Sequence, residues 1–187
     1  MSDGSRVVVR RATGADVRGI ATVQVLSWRA TYRGIVDDAY IDSLTIDGRE
    51  ERWRHLFEAA PVAGHDIFVA ETRAAGVIGF VSGGPLREPG LSPGRDAELY
   101  AIYLLPGEER RGLGRALVAV LARAVAAAGH RGMLVQVLSG NAPARRFYEA
   151  LGARFLLERP LSIGGRPYPE SVYEWNEITT LGAKPKM

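Results

Sequence analysis

Between Glu109 and Leu121 the chain reads ERRGLGRALVAVL. An apolar run, Ala97 to Leu105, precedes it, and an amphipathic helical pattern follows, with Leu113, Ala116, Leu117, Val120, Leu121 and Ala124 on one face. A strand therefore passes through bare backbone and positive charge straight into a helix. A helix start carries unpaired N–H groups and the positive end of the helix dipole. Gly112 and Gly114 let an anion approach those groups without a Cβ in the way, and Arg110, Arg111 and Arg115 add charge suited to phosphate oxygens. The plainer alternative is a turn that only packs tightly. Two phosphate motifs are excluded. A dinucleotide fingerprint needs a third glycine where Leu117 stands, and the P-loop lysine is missing.

Arg6–Arg11 reads as a strand. Thr13 and Asp16 form a capping box before a helix over 15–32. A short helix restarts at Asp37 or Asp38. Asp47 is expected to cap another over 48–59 that stops before Pro61. DIFVAET (66–72) and GVIGFVSG (76–83) pair as a hairpin, and 85–96 is a loop rich in Pro and Gly. After the helix at 113–128 come a strand at 131–138, a helix at 142–151, and two strands at about 153–163 and 168–177 around GGRP. The strand at 97–105, its helix and the strand at 131–138 make a right-handed βαβ unit, locally parallel. The hairpin-linked outer strands are antiparallel. The fold class is α/β with a mixed central sheet of about seven strands and helices on both faces. No repeat or linker divides the chain: residues 1–178 form one domain, and 179–187 read as a frayed tail.

A second signal begins 27 residues beyond Gly114. In NAPARRFYEALGAR, Asn141 opens a helix whose Ala144, Phe147, Tyr148 and Leu151 share a face. Tyr148 is the odd member, because a buried hydroxyl needs a partner. Taken singly, Asn141 is a plain N-cap and Tyr148 an ordinary core residue. Taken together, ELYAIYLLPGEERRGLGRALV (98–118) and N-x-x-A-x-x-F-Y-E-x-L-G (141–152) resemble the GNAT superfamily of acyl-CoA-dependent N-acyltransferases. One position departs. The family pattern [QR]-x-x-G-x-[GA] places its first residue on Glu109, which puts the side-chain part of phosphate binding in question and leaves the backbone part intact.

The resemblance implies acetyl-CoA as co-substrate and transfer of its acetyl group to a primary amine. It places the diphosphate on Arg110, Arg111, Gly112, Leu113, Gly114 and Arg115, with Asn141 and Arg145 beyond. The pantetheine arm then runs along Ile102, Tyr103 and Leu104, where the parallel strands splay from Val137–Ser139. The thioester ends near Glu98, Tyr100 and Tyr148, and alternation sets Glu98, Tyr100 and Ile102 on one strand face. Glu98 is then the candidate general base, directly or through water, with a water chain as the alternative base, since a carboxylate in an apolar strand is costly without a task; a solvated strand mouth is the plainer alternative. Tyr148 gives the leaving thiolate its proton. WRATYRGI resembles the wall of the acceptor pocket, with Trp28 and Tyr32 on one face and Tyr100 nearby. Asp37, Asp38 and Glu88 would suit a cationic amine.

Composition removes competing classes. With 47% hydrophobic residues the chain can bury a core, and a net charge of only +3 is too weak to argue for nucleic acid. Zero cysteines removes disulfides, thiolate metal sites and cysteine nucleophiles. His55, His65 and His130 are scattered, so no metal is expected. GLSPG (90–94) imitates a nucleophile elbow but lies in a loop, and Pro93 lacks the N–H an oxyanion hole needs. No apolar run spans a bilayer, so the expected setting is cytoplasmic, without membrane or nucleic-acid partners. The acceptor, a small-molecule or peptide amine, stays open, as does a homodimer. The alternative function is a non-catalytic acyl-CoA sensor or interaction protein.

Overall fold

In the computed structural model, residues 6–182 are described except Pro89, Pro93 and Arg95. The centre is the βαβ unit expected from sequence. Strand β4 (Ala97–Leu104) leads through the glycine turn into helix α4 (Leu113–Ala127), and β5 (Met133–Leu138) returns parallel to β4. On one flank β3 (Gly76–Pro85), β2 (Asp66–Thr72) and β1 (Val7–Arg11) add antiparallel strands. On the other, β7 (Arg166–Trp175) pairs antiparallel with β5, and β6 (Arg154–Ile163) forms the edge, giving seven strands in the order β1-β2-β3-β4-β5-β7-β6.

Helices cover both faces because each sheet face is apolar. On one side α4 buries Leu117, Val118 and Leu121 against Leu99, Met133 and Val135, and α5 (Ala142–Ala150) adds Tyr148. On the other side α1 (Val17–Thr31) and α3 (Ile46–Ala63) pack Ile20, Val23 and Trp53 on Val69 and Phe80. A third cluster joins the end of α1 and α2 (Asp38–Ser43) to the β6–β7 hairpin through Tyr32, Ile41, Leu138 and Ile163.

Four expectations are corrected. Thr45, not Asp47, caps α3, accepting from the Gly48 N–H at 3.2 Å, while Asp47 faces Arg18 at 3.1 Å. The same helix passes Pro61 and ends at left-handed Gly64 (φ 68°), since a C-terminal glycine decides the stop more firmly than a proline near the last turn. The tail is not frayed from its start. Ile178 and Leu181 are buried in the α4-side core, and 183–187 lie outside the described residues.

The fourth concerns β4. Ser82 pairs with Ala101 but Gly83 with Leu99, so Tyr100 is the extra residue of a β-bulge. The bulge reverses the alternation. Tyr100 is followed by Ala101 and Tyr103 on the α1–α3 side, whereas Ile102 packs in the α4-side cluster with Leu99. Glu98, Tyr100 and Ile102 do not share a face.

Candidate active site

The site begins as a fault in the sheet. β4 and β5 pair only from Ala97–Met133 to Leu99–Val135. Beyond, β4 stays bound to β3 and β5 to β7, but the two no longer bond to each other. Backbone groups facing the gap lack a strand partner, and such groups are obligate hydrogen-bonders. The bulge at Tyr100 sits where the strands part and bends β4 away. The resulting cleft, about 830 Å³, runs from the start of α4 through the sheet to α1.

At its outer end lies the glycine turn. Among the described residues no side chain caps α4, and its first bond runs from the Ala116 N–H to the Gly112 carbonyl. The N–H groups of Leu113, Gly114 and Arg115 are left pointing out of the helix end. Gly112 sits at φ 80°, a conformation a side chain resists. A Cβ on Gly114 would meet the Phe147 ring at 3.1 Å, so this glycine lets α5 close on α4. Arg110 adopts φ 63° without being glycine, the one such residue among those described. Left-handed and right-handed residues in succession aim their N–H groups into a common concavity that suits an anion.

Side chains around the turn divide. Arg110 and Arg115 line the cleft, together with Glu109. Glu109, where the family pattern has Gln or Arg, turns back to accept the Gly107 N–H at 2.8 Å, so it stabilises the turn. Arg111 is held by Glu108, and Leu113 is buried in the core, so neither side chain reaches the cleft.

Along the gap, Ile102, Tyr103 and Leu104 line one wall and Gln136 and Val137 the other. At the middle stand three tyrosines. Tyr148 is 5% exposed, wedged against Phe147 and Trp175, and lines the cleft. Among the described residues its hydroxyl has no hydrogen-bond partner. Burial pushes its pKa well above the usual phenol value, so it holds its proton at neutral pH. Burial likewise raises Tyr103 and Tyr32. Asn141 caps α5 by accepting the Ala144 N–H at 3.2 Å, and its amide donates to the Tyr32 hydroxyl at 3.4 Å. The plain N-cap role is present, and Asn141 lines the cleft besides. Trp28 lies one layer back. Its indole N–H donates to the Tyr103 hydroxyl at 3.0 Å and its ring packs on Tyr32 at 4.6 Å.

Glu98 is not brought to the cleft. It is fully buried, and its carboxylate accepts from Arg87 Nε at 3.1 Å, the Arg87 backbone N–H at 3.3 Å, Gln136 Nε2 at 3.1 Å, and Arg87 Nη2. A carboxylate offers about four acceptor positions. All are filled, so none is left for a substrate proton. Arg145 is also turned away, donating to the Tyr173 hydroxyl at 2.9 Å and the Ser139 carbonyl at 3.2 Å. The acidic residues expected near the acceptor are neutralised elsewhere: Asp37 by Arg166 at 3.0 Å, Asp38 near Arg33 at 3.9 Å, Glu88 by Arg159. Ser92 of the false elbow is buried and donates to Glu174 at 3.1 Å; Pro93 lies outside the described residues.

Two residues near the site had no sequence signal. Arg87 holds Glu98 from inside an aperiodic loop and lies over the Tyr100 ring at 4.7 Å. His65 meets the same ring edge-on at 5.0 Å. Tyr100 lines the cleft, and its hydroxyl donates to the Pro85 carbonyl.

Comparison with known proteins identifies the family. Residues 28–153 match the model of the acetyltransferase (GNAT) family. The chain belongs to that family. It is 37% identical, over 94% of its own length and 96% of the other's, to a Bacillus subtilis (strain 168) protein named as the uncharacterized N-acetyltransferase YuaI. In fold it is similar to the PaiA N-acetyltransferase of Thermoplasma acidophilum, solved with coenzyme A, at TM-score 0.68, 20% identity, and coverage of 88% of this chain and 98% of that one. It is also similar to YncA of Salmonella typhimurium, a putative acetyltransferase solved with acetyl-CoA, at TM-score 0.68, 23% identity, and coverage of 92% and 94%. This GNAT chain is thus an N-acyltransferase with the mixed seven-stranded α/β sheet of its relatives. Among the described residues no helix is long and apolar enough to cross a membrane, and no group of three metal-ligating side chains is gathered.

Proposed function

We propose that the chain transfers the acetyl group of acetyl-CoA to a primary amine, and that the cleft through the β4–β5 gap is where it does so. The observation that carries this is the coincidence of two unmet backbone needs in one channel: unclaimed N–H groups at the start of α4, and unpaired strand edges leading inward from them. A diphosphate satisfies the first and an amide-bearing arm the second. The residues fit the group.

The backbone N–H groups of 110–115 hold the diphosphate, with the Arg110 and Arg115 guanidinia beside it. The edges of β4 and β5 take the pantetheine amides. When bound, acetyl-CoA supplies a thioester whose carbonyl carbon bonds to the amine nitrogen as the C–S bond breaks. A backbone N–H near Ile102 or Tyr103 donates to the oxygen on which charge builds, worth about 3 kcal/mol if pre-aimed. Tyr148, which keeps its proton at pH 7, gives it to the departing sulfur. The Asn141 amide donates to the Tyr32 hydroxyl and the Trp28 indole to that of Tyr103, which fixes these side chains around the cleft. Glu98 acts as the anchor of Arg87 and of the loop that follows β3.

Two measurements test this together. Isothermal titration of the folded protein with CoA is expected to show saturable binding. Incubation with acetyl-CoA and a panel of amines is expected to release CoA thiol. Binding without release from any amine would leave only a non-catalytic acyl-CoA sensor.

A further inference from the structure

A second hollow, about 230 Å³, opens between α3 and the β2–β4 part of the sheet. It shares Tyr100 and Ala101 with the main cleft, so it meets that cleft at the bulge, where the strands part. Among the described residues its lining includes Arg49, Arg52, Arg87 and His65 and no carboxylate. Arg87 is neutralised by Glu98. Among the described residues Arg49 and Arg52 have no carboxylate partner, although Arg54 on the same helix pairs with Glu50 at 3.0 Å and Arg18 with the same Glu50 at 2.6 Å. Arg49 only rests over the Trp28 ring, at 5.8 Å. The hollow therefore holds two uncompensated guanidinia, whose planar forks match carboxylate and phosphate oxygens.

We infer that this hollow is the acceptor subsite, and that the amine it takes carries an anionic group, a carboxylate or a phosphate-type group, bound by Arg49 and Arg52, with His65 receiving the ammonium proton. This rests on the transferase reading above and names its substrate class. An anion at Arg49 and Arg52 leaves the amine end of a short molecule to reach past Tyr100 into the cleft. An alkylammonium has a pKa near 10.4, so a base must remove one proton before the nitrogen attacks. His65 is suited to that. Burial, then the charge of Arg87, lowers its pKa, so its ring is neutral at pH 7, and among the described residues neither ring nitrogen has a hydrogen-bond partner. The ammonium proton goes to His65 and then to solvent. After the new C–N bond forms the second nitrogen proton passes to solvent, the sulfur takes one from Tyr148, and Tyr148 regains its proton from solvent.

The test compares matched substrates on the full chain: an α-amino acid with its carboxamide, and an aminoalkylphosphonate with the plain alkylamine. The expected result is a kcat/KM ratio of about tenfold or more for the anionic member, as for a charged hydrogen bond. Whichever pair gives the larger ratio identifies the anion. The ratio falls toward unity in Arg49→Gln and Arg52→Gln, neither of which lines the main cleft, while affinity for CoA is unchanged. Equal rates for both members, or a ratio that survives both substitutions, overturns the inference and leaves the transferase reading standing. If no amine reacts, binding still decides. The Trp53 indole N–H donates to Gln24 at 2.8 Å and both residues line the hollow, so its NMR resonance reports occupancy. Titration with propionate and with inorganic phosphate should shift it saturably in the wild type and not in the double variant. An unmoved resonance overturns the subsite.

Discussion

Tyr148 and Glu98 are both buried polar side chains in an apolar setting, yet the structure gives them opposite roles. Tyr148 faces the cleft with its hydroxyl unclaimed, whereas Glu98 has every acceptor position filled. Tyr148→Phe should lower kcat by about 100-fold, the usual scale for a lost general acid, while leaving CoA affinity by titration within about twofold. Glu98→Gln should act first on stability. It replaces charged hydrogen bonds to Arg87 with weaker ones and is expected to cost about 2 kcal/mol in a urea melt. A loss of activity with unchanged stability would instead restore Glu98 as a base. The cost of a carboxylate in an apolar strand was legible in the sequence. Its partner was not, because Arg87 sits in a loop with no periodicity to fix which way it points.

At the scale of elements, the start of α4 concentrates conformational cost and function in one turn. Arg110 at φ 63° is strained by about 1 kcal/mol relative to glycine. Arg110→Gly should therefore raise the unfolding free energy in a urea melt by about that amount while weakening CoA binding, since it removes a guanidinium from the cleft. The glycine–arginine pattern and both helix starts around it were readable because helix periodicity and glycine conformation are local properties. The β4 bulge was not. It comes from the pairing of Ser82 and Gly83 across the sheet, and a two-residue alternation rule has no term for an inserted residue. That single residue misplaced Ile102 and concealed that Tyr100 borders two cavities. The α3 cap was missed for a smaller reason: Thr45 and Asp47 are both good capping types two residues apart, and only backbone geometry separates them.

At the scale of the whole molecule, the first strand is tied to the sheet by Arg10, which bridges Asp16 at 2.7 Å and Glu71 at 2.6 Å. The hydrogen bond from Arg10 holds the buried Asp16 carboxyl down to about 2 from an ordinary 3.8. A folded value below the unfolded one means the contribution is complete above about pH 4 and is lost as pH falls toward 2. It amounts to about 2 kcal/mol. Denaturant melts across that window should show the loss in the wild type and a flatter profile in Asp16→Asn. The overall topology was legible because each strand and helix carries its own pattern. The insertion of β7 between β5 and β6 was not, since a hairpin can dock by either strand.

Whether the glycine turn and the strand gap hold CoA is decided by an amide NMR titration of the folded protein with CoA. The expected result is saturable shifts concentrated at the N–H groups of 110–115 and along the facing edges at 102–104 and 136–138. Saturation with those amides unmoved, or no binding by a folded sample, would contradict it.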